Sequence, residues 1–231
     1  MRNLCTSASV VILLLTASLT ACKKDHSEPP PVITPTVTPI PYSVMAYLVT
    51  PTDKTFNADY YRAIKSALLA IQDYYKGQMG GKTFTLNPVV LDTISADHNS
   101  AWFTQDNGPT ISGTAGVKSY HNTFYEMNSL LGARFDTTHI TYIAWVVADF
   151  PDETIPRGLA AEGMPNITGL IAKSPNPWRG AAAHALAHAF GVPEPLQPDP
   201  NGLMSEGYPH FPNCVLESFE KDTLNHTPFF K

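Results

Sequence analysis

The chain has 231 residues, of which 43% are hydrophobic, 10% aromatic and 15% charged, with 21 prolines. That length suffices for one substantial domain once targeting sequence is set aside. A formal net charge of -5 offers no basic footprint, so nucleic acid is excluded as an expected partner.

Residues 1–21 read as a targeting segment rather than as fold. Arg2 supplies a short positive region, and Val10 to Leu15 forms the centre of an apolar run too short to span a bilayer. Leu19-Thr20-Ala21-Cys22 resembles the lipobox of bacterial lipoproteins. In that family the signal is cut before the cysteine, which is then acylated. The resemblance implies a lipid anchor on Cys22 and a place on the bacterial outer membrane or cell surface, with a periplasm-facing orientation as the alternative. Cys5 leaves with the signal, so Cys214 has no disulfide partner.

Residues 22–41 follow as a tether. Pro29 to Pro41 holds six prolines in thirteen positions, which forbids a helix or a central strand. At ~3.1 Å per residue such a spacer reaches about 40 Å.

The folded domain is expected over 42–231. Ser43 to Thr50 reads as a strand ended by Pro51. Asn57 to Gln78 has helical spacing through Tyr61, Ile64, Leu68, Ile71 and Tyr75, with Thr55 or Asn57 as cap and Gly80-Gly81 as stop. Lys82 to Leu91 reads as a strand in which Pro88 argues for an edge or a bulge. Gly116 to Leu131 reads as a second long helix, and His139 to Ala148 as a central apolar strand. Ile167 to Ala172 reads as a further strand, 179–190 as a histidine-bearing helix and Cys214 to Leu224 as a last helix. This order implies an α/β or α+β domain built on a mixed, twisted sheet.

The chemistry concentrates in residues 179–194. His184 and His188 are four apart on an alanine-rich helix and so project from one face, one turn apart. Two imidazoles in that relation can share one zinc ion. Gly191 follows where a left-handed residue would let the chain turn sharply.

Position by position this resembles the metzincin clan of zinc metallopeptidases, whose pattern is H-E-x-x-H-x-x-G-x-x-H followed by a Met-turn. His184 and His188 fall on the helical ligand positions, Gly191 on the glycine, and Met204 in Gly202-Leu203-Met204-Ser205 on the Met-turn methionine. The flanks Trp178-Arg179-Gly180, Phe211-Pro212-Asn213-Cys214 and Pro228-Phe229-Phe230 agree. The resemblance implies a zincin domain with zinc as its cofactor. Two positions depart from it. Ala185 occupies the place of the glutamate that deprotonates zinc-bound water, and Glu194 the place of the third histidine. A positioned acid/base contributes ~10²–10⁴ in rate, and a methyl group can replace neither role. A carboxylate is an acceptable zinc ligand, so His184, His188 and Glu194 form the expected metal set, with Asp199 and His210 as nearby substitutes.

Other polar residues read more plainly. His98, His121 and His139 lack partner spacing. Glu153 and Glu162 lie in a Gly/Pro-rich stretch and read as solvated, and Cys214 as a small buried residue. Three functions stay open. The first is a lipid-anchored, degenerate peptidase that binds an extended peptide or protein along residues 167–172 without efficient cleavage. The second is an active zinc endopeptidase with a substitute base and Glu194 as third ligand. The third is a structural or adhesive surface lipoprotein without metal.

Overall fold

A computed structural model describes residues 41–107, 115–151 and 158–231. The targeting segment, Cys22, all but the last residue of the proline-rich tether, and Glu153 lie outside the described residues.

Among the described residues five strands and five α-helices follow one another: β1 (Ser43–Thr50), α1 (Ala58–Gln78), β2 (Thr85–Leu86), β3 (Asp92–Ser95), α2 (Ala115–Leu131), β4 (Ile140–Val146), β5 (Leu159–Glu162), α3 (Met164–Ile171), α4 (Asn176–Ala189) and α5 (Ser218–Asn225). The sheet runs β2-β1-β4-β5, and β3 pairs with the C-terminal half of β1 beyond β2. Every pairing among the described strands is parallel, in place of the mixed pairing expected. For the pairings of β1 the cause is connectivity: α1 separates β1 from β2 and β3, and α2 separates β3 from β4, and such crossovers return the chain in the same direction.

The sheet is covered on both faces, which explains why β1 and β4 read as unbroken apolar runs. Alternate residues serve separate cores. Val44, Ala46, Leu48, Ile143 and Trp145 pack with α1 and α4, whereas Tyr47, Val49, Tyr142, Ala144 and Val146 pack with Phe103 and α2. Helix α1 begins where Asn57, rather than Thr55, accepts from the Asp59 and Tyr60 amides. It buries Ile64, Leu68, Ile71 and Tyr75 against the sheet.

Four further expectations change. The stretch 82–91 keeps only Thr85–Leu86 as strand. Asn87 N–H still donates to the Val44 carbonyl at 3.1 Å, but Pro88 has no N–H to continue the ladder, and pairing resumes at Asp92. Residues 167–172 are not a strand. They fall in α3, whose first turn contains Pro165, with Ile167 and Leu170 buried at helical spacing. A short apolar run fits either period, and here burial against α1 and α4 decides it. Finally, Glu162 is not solvated: Leu159–Glu162 is β5, fully buried beside β4. Helix α5 starts at Ser218, four residues later than expected, because Glu217 and Glu220 form a capping box there. Among the described residues no helix is long and apolar enough to cross a membrane.

Candidate metal centre

Helix α4 lies against β5, α1 and α3, with Ala182, Ala183, Ala187 and Ala189 all buried. Small side chains allow this close packing, and the Tyr75 hydroxyl donates to the Ala183 carbonyl at 2.8 Å. The helix face left toward the Met204 turn carries His184 and His188.

The helix end assembles the rest of the site. Gly191 adopts φ +95°, the left-handed region that favours glycine. Its N–H bonds to the His188 carbonyl at 2.7 Å and the Val192 N–H to the Ala187 carbonyl at 3.0 Å, a closure that reverses the chain. The reversal brings the Val192 carbonyl back to accept from His188 Nδ1 at 2.8 Å. Two residues further on, Glu194 Oε1 lies 3.0 Å from His188 Nε2 and 3.6 Å from His184 Nε2. His184 Nδ1 donates in turn to the Leu203 carbonyl at 3.0 Å. Met204, one residue beyond, is buried.

These contacts settle the tautomers. A carbonyl oxygen only accepts, so each Nδ1 carries a proton, and in the neutral ring each Nε2 is left with its lone pair. The two Nε2 atoms are 3.1 Å apart. Three electron-rich atoms therefore converge within 4.8 Å, an arrangement that repels itself unless a cation or proton sits among them. With zinc–ligand bonds of ~2.0–2.2 Å, the edges of a tetrahedral site are about 3.3–3.6 Å. The observed separations of 3.0, 3.1 and 3.6 Å lie within about 0.3 Å of that range, so the three donors fit a zinc ion. Backbone carbonyls on the outer nitrogens are what zinc-binding histidines ordinarily have. Burial pushes the His184 imidazole below its usual range, and the charge of His188 adds to this; the Leu203 carbonyl and Glu194 oppose it. The net direction keeps His184 neutral, as a ligand must be. Glu194 is the outward wall, its side chain 64% exposed. Beside it opens a cavity of about 480 Å³ bordered by Pro193, Pro195, Leu196, Gln197 and Phe219.

Ala185 is 3% exposed and brings no proton acceptor. Among the described residues no other carboxylate joins the cluster. Asp199 instead accepts from the Asn201 amide within its own turn, and His210 is exposed in the 208–210 turn, so neither substitutes for Glu194.

Sequence reasoning missed Tyr208, whose ring centroid lies 5.5 Å from that of His184. It is 36% exposed. It is held there because Gly180 lets α4 approach the 208–210 turn: a Cβ on Gly180 would lie 1.9 Å from the Tyr208 carbonyl oxygen. The Leu203 and Val192 carbonyls were also missed, since backbone acceptors have no sequence signature. Two histidines without a partner spacing in the sequence find carboxylates in the fold: His98 Nδ1 meets the buried Glu126 carboxylate at 2.7 Å, and His139 Nδ1 meets Asp136 at 2.6 Å. Cys214 is buried as expected, and burial raises its thiol pKa, which makes it a poor nucleophile.

No protein-family profile matches the chain. No curated protein matches it in sequence. Solved structures do resemble it. Wild-type OgpA from Akkermansia muciniphila aligns over 80% of this chain and 60% of its own, at 17% identity and a TM-score of 0.58. Catalytically inactive OgpA, solved in complex with an O-glycopeptide (glycodrosocin) substrate, aligns over 82% and 61%, at 17% identity and a TM-score of 0.56. Archaemetzincin from Methanopyrus kandleri aligns over 82% and 97%, at 11% identity and a TM-score of 0.45. The chain thus spans about three fifths of the length of OgpA. At these identities the likeness concerns the fold alone, an α/β domain that resembles the aligned part of OgpA.

Proposed function

We propose that the chain is a lipid-anchored, metzincin-like domain that holds one zinc ion on His184, His188 and Glu194 and captures peptide with weak or no proteolysis. The observation that carries this reading is the convergence of three lone-pair donors beside a base position filled by Ala185. Zinc bound there would supply a Lewis acid and a water of pKa ~7. The protein's own contributions are separable. The Leu203 and Val192 carbonyls orient the two imidazoles. Glu194 offsets one positive charge. Ala185 neither takes a proton from water nor returns one to a leaving amine, which removes the acid/base share of the rate.

OgpA binds an O-glycopeptide, and the cavity beside Glu194 leaves room for such a chain next to the metal. Residues 167–172 play no part in this capture, because α3 offers no free strand edge. A working endopeptidase is the second reading, favoured by the reach of Glu194 to both histidines. A metal-free adhesive domain is the third reading; it needs a proton in place of the ion between the Nε2 atoms and Glu194 Oε1.

Titrating the zinc-loaded protein with unfolded peptides tests the reading. Saturable, chelator-sensitive binding with little product is expected. Binding that never saturates sinks the capture role, and rapid chelator-sensitive cleavage lost in His184→Ala establishes the endopeptidase instead. Anchoring through Cys22 rests on the lipobox resemblance alone. A Cys22→Ala variant should leave the membrane fraction, and one that stays membrane-bound refutes it.

A further inference from the structure

The start of α5 carries two carboxyl groups locked to one another. Glu220 Oε2 accepts the Glu217 N–H at 2.8 Å, and the Glu217 side chain accepts the Glu220 N–H in return. Each carboxyl thus has one oxygen in use. The other, Oε1 in both residues, is buried and has no hydrogen-bond partner among the described residues. Glu220 as a whole is fully buried. Glu217 Oε1 is roofed by the turn at Gly202, where a Cβ would lie 2.7 Å from it.

A capping box on a surface leaves its spare oxygens to water. Here water does not reach them, and a buried polar atom without a partner is costly. Two ionised carboxylates at one buried helix start would add like-charge repulsion. A single proton removes both defects. Glu220 Oε1 becomes a donor, Glu217 Oε1 is the free acceptor of the same box, and one charge disappears. The negative charge that stays on Glu217 suits the N-terminal end of the helix.

We propose that Glu217 and Glu220 share one proton through their Oε1 atoms, forming a clasp on the first turn of α5 that loosens when the proton is lost. The clasp itself needs no metal. Its effect on the cavity beside Glu194, which Glu217 and Phe219 border, rests on the peptide-capture reading above. The other groups around the pair are Tyr74 and Tyr75 from α1, Cys214 before α5, Lys221 beside Glu220 and Asp199 across Gly202. Burial raises the pKa of both phenols and of the thiol, so all three stay neutral around pH 7. Burial also pushes the Glu220 carboxyl up to about 7 and the Glu217 charge adds to this, while the Glu217 and Met204 amides and Lys221 oppose it. The folded value thus lies above the unfolded one of ~4.3. The stability gained from protonated Glu220 is present in full below ~4.3 and is lost as pH rises toward 7.

The test compares the melting temperatures of wild type and Glu220→Gln from pH 5 to 8 without added metal. The amide keeps an oxygen for the Glu217 N–H and offers an N–H to Glu217 Oε1 at every pH. Glu220→Gln should match wild type at pH 5 and melt at least ~3 °C higher at pH 8. A variant no more stable than wild type at pH 8, or a difference that does not change with pH, would overturn the clasp. If Glu220→Gln does not fold, carboxyl ¹³C NMR of wild type decides: a Glu220 midpoint near 7 supports the shared proton, and one near ~4.3 refutes it. Binding of a labelled unfolded peptide should weaken from pH 6 to 8 in wild type but not in Glu220→Gln. Equal pH profiles would overturn the link to the cavity, and no binding at any pH would overturn the capture reading while the melting data still judge the clasp.

Discussion

Replacing Ala185 by glutamate is expected to raise zinc-dependent cleavage of unfolded protein by about 10²–10⁴-fold, the share of rate a positioned acid/base supplies. The expectation follows from how little else the site lacks. His184 and His188 are already oriented by the Leu203 and Val192 carbonyls, and Glu194 already lies 3.0 Å from His188 Nε2. A single substitution should therefore suffice, without Glu194→His. Ala185 is buried, so the longer side chain must either turn toward the metal or crowd the core, and overpacking costs ~1–3 kcal/mol. A melting curve separates these outcomes, and His188→Ala in the same background should abolish the gained activity. If the single variant folds and binds zinc yet stays inert, while Ala185→Glu with Glu194→His cleaves, then Glu194 does not act as a ligand.

Chelation should lower the melting temperature of wild type but not of His188→Ala. Zinc at 100 times its dissociation constant stabilises the folded state by about 2.7 kcal/mol. For a domain of this size each kcal/mol moves the midpoint by ~2–4 °C, so the expected shift is about 5–10 °C. His188 is the sharper probe because it is buried and contacts both other donors. Glu194→Ala should weaken zinc less, since its exposed carboxylate can be replaced by water. A wild-type midpoint indifferent to both zinc and chelator would favour the metal-free reading.

Long periodic segments announced themselves. β1, α1, α2, β4 and α4 each carry enough apolar repeats for one period to win, and their boundaries fall within a few residues of those expected. Short segments did not. Residues 167–172 could be strand or helix until burial against α1 and α4 decided, and β5 was hidden between Gly158 and Gly163, which make a buried strand look like loop. The site divides in the same way. His184, His188, Gly191, Glu194 and Met204 are legible because a helical ligand pair and a left-handed turn impose residue types at fixed spacing. The parts that aim the ligands are not: the Val192 and Leu203 carbonyls are open to any residue, and Tyr208 reaches His184 through a close approach at Gly180.

The central claim is that His184, His188 and Glu194 share a single ion. Anomalous diffraction from zinc-loaded crystals, recorded on either side of the zinc absorption edge, tests it most directly. One strong peak bounded by both Nε2 atoms and Glu194 Oε1 is the predicted result. Imidazoles turned away from one another, with no peak between them at saturating zinc, would contradict it.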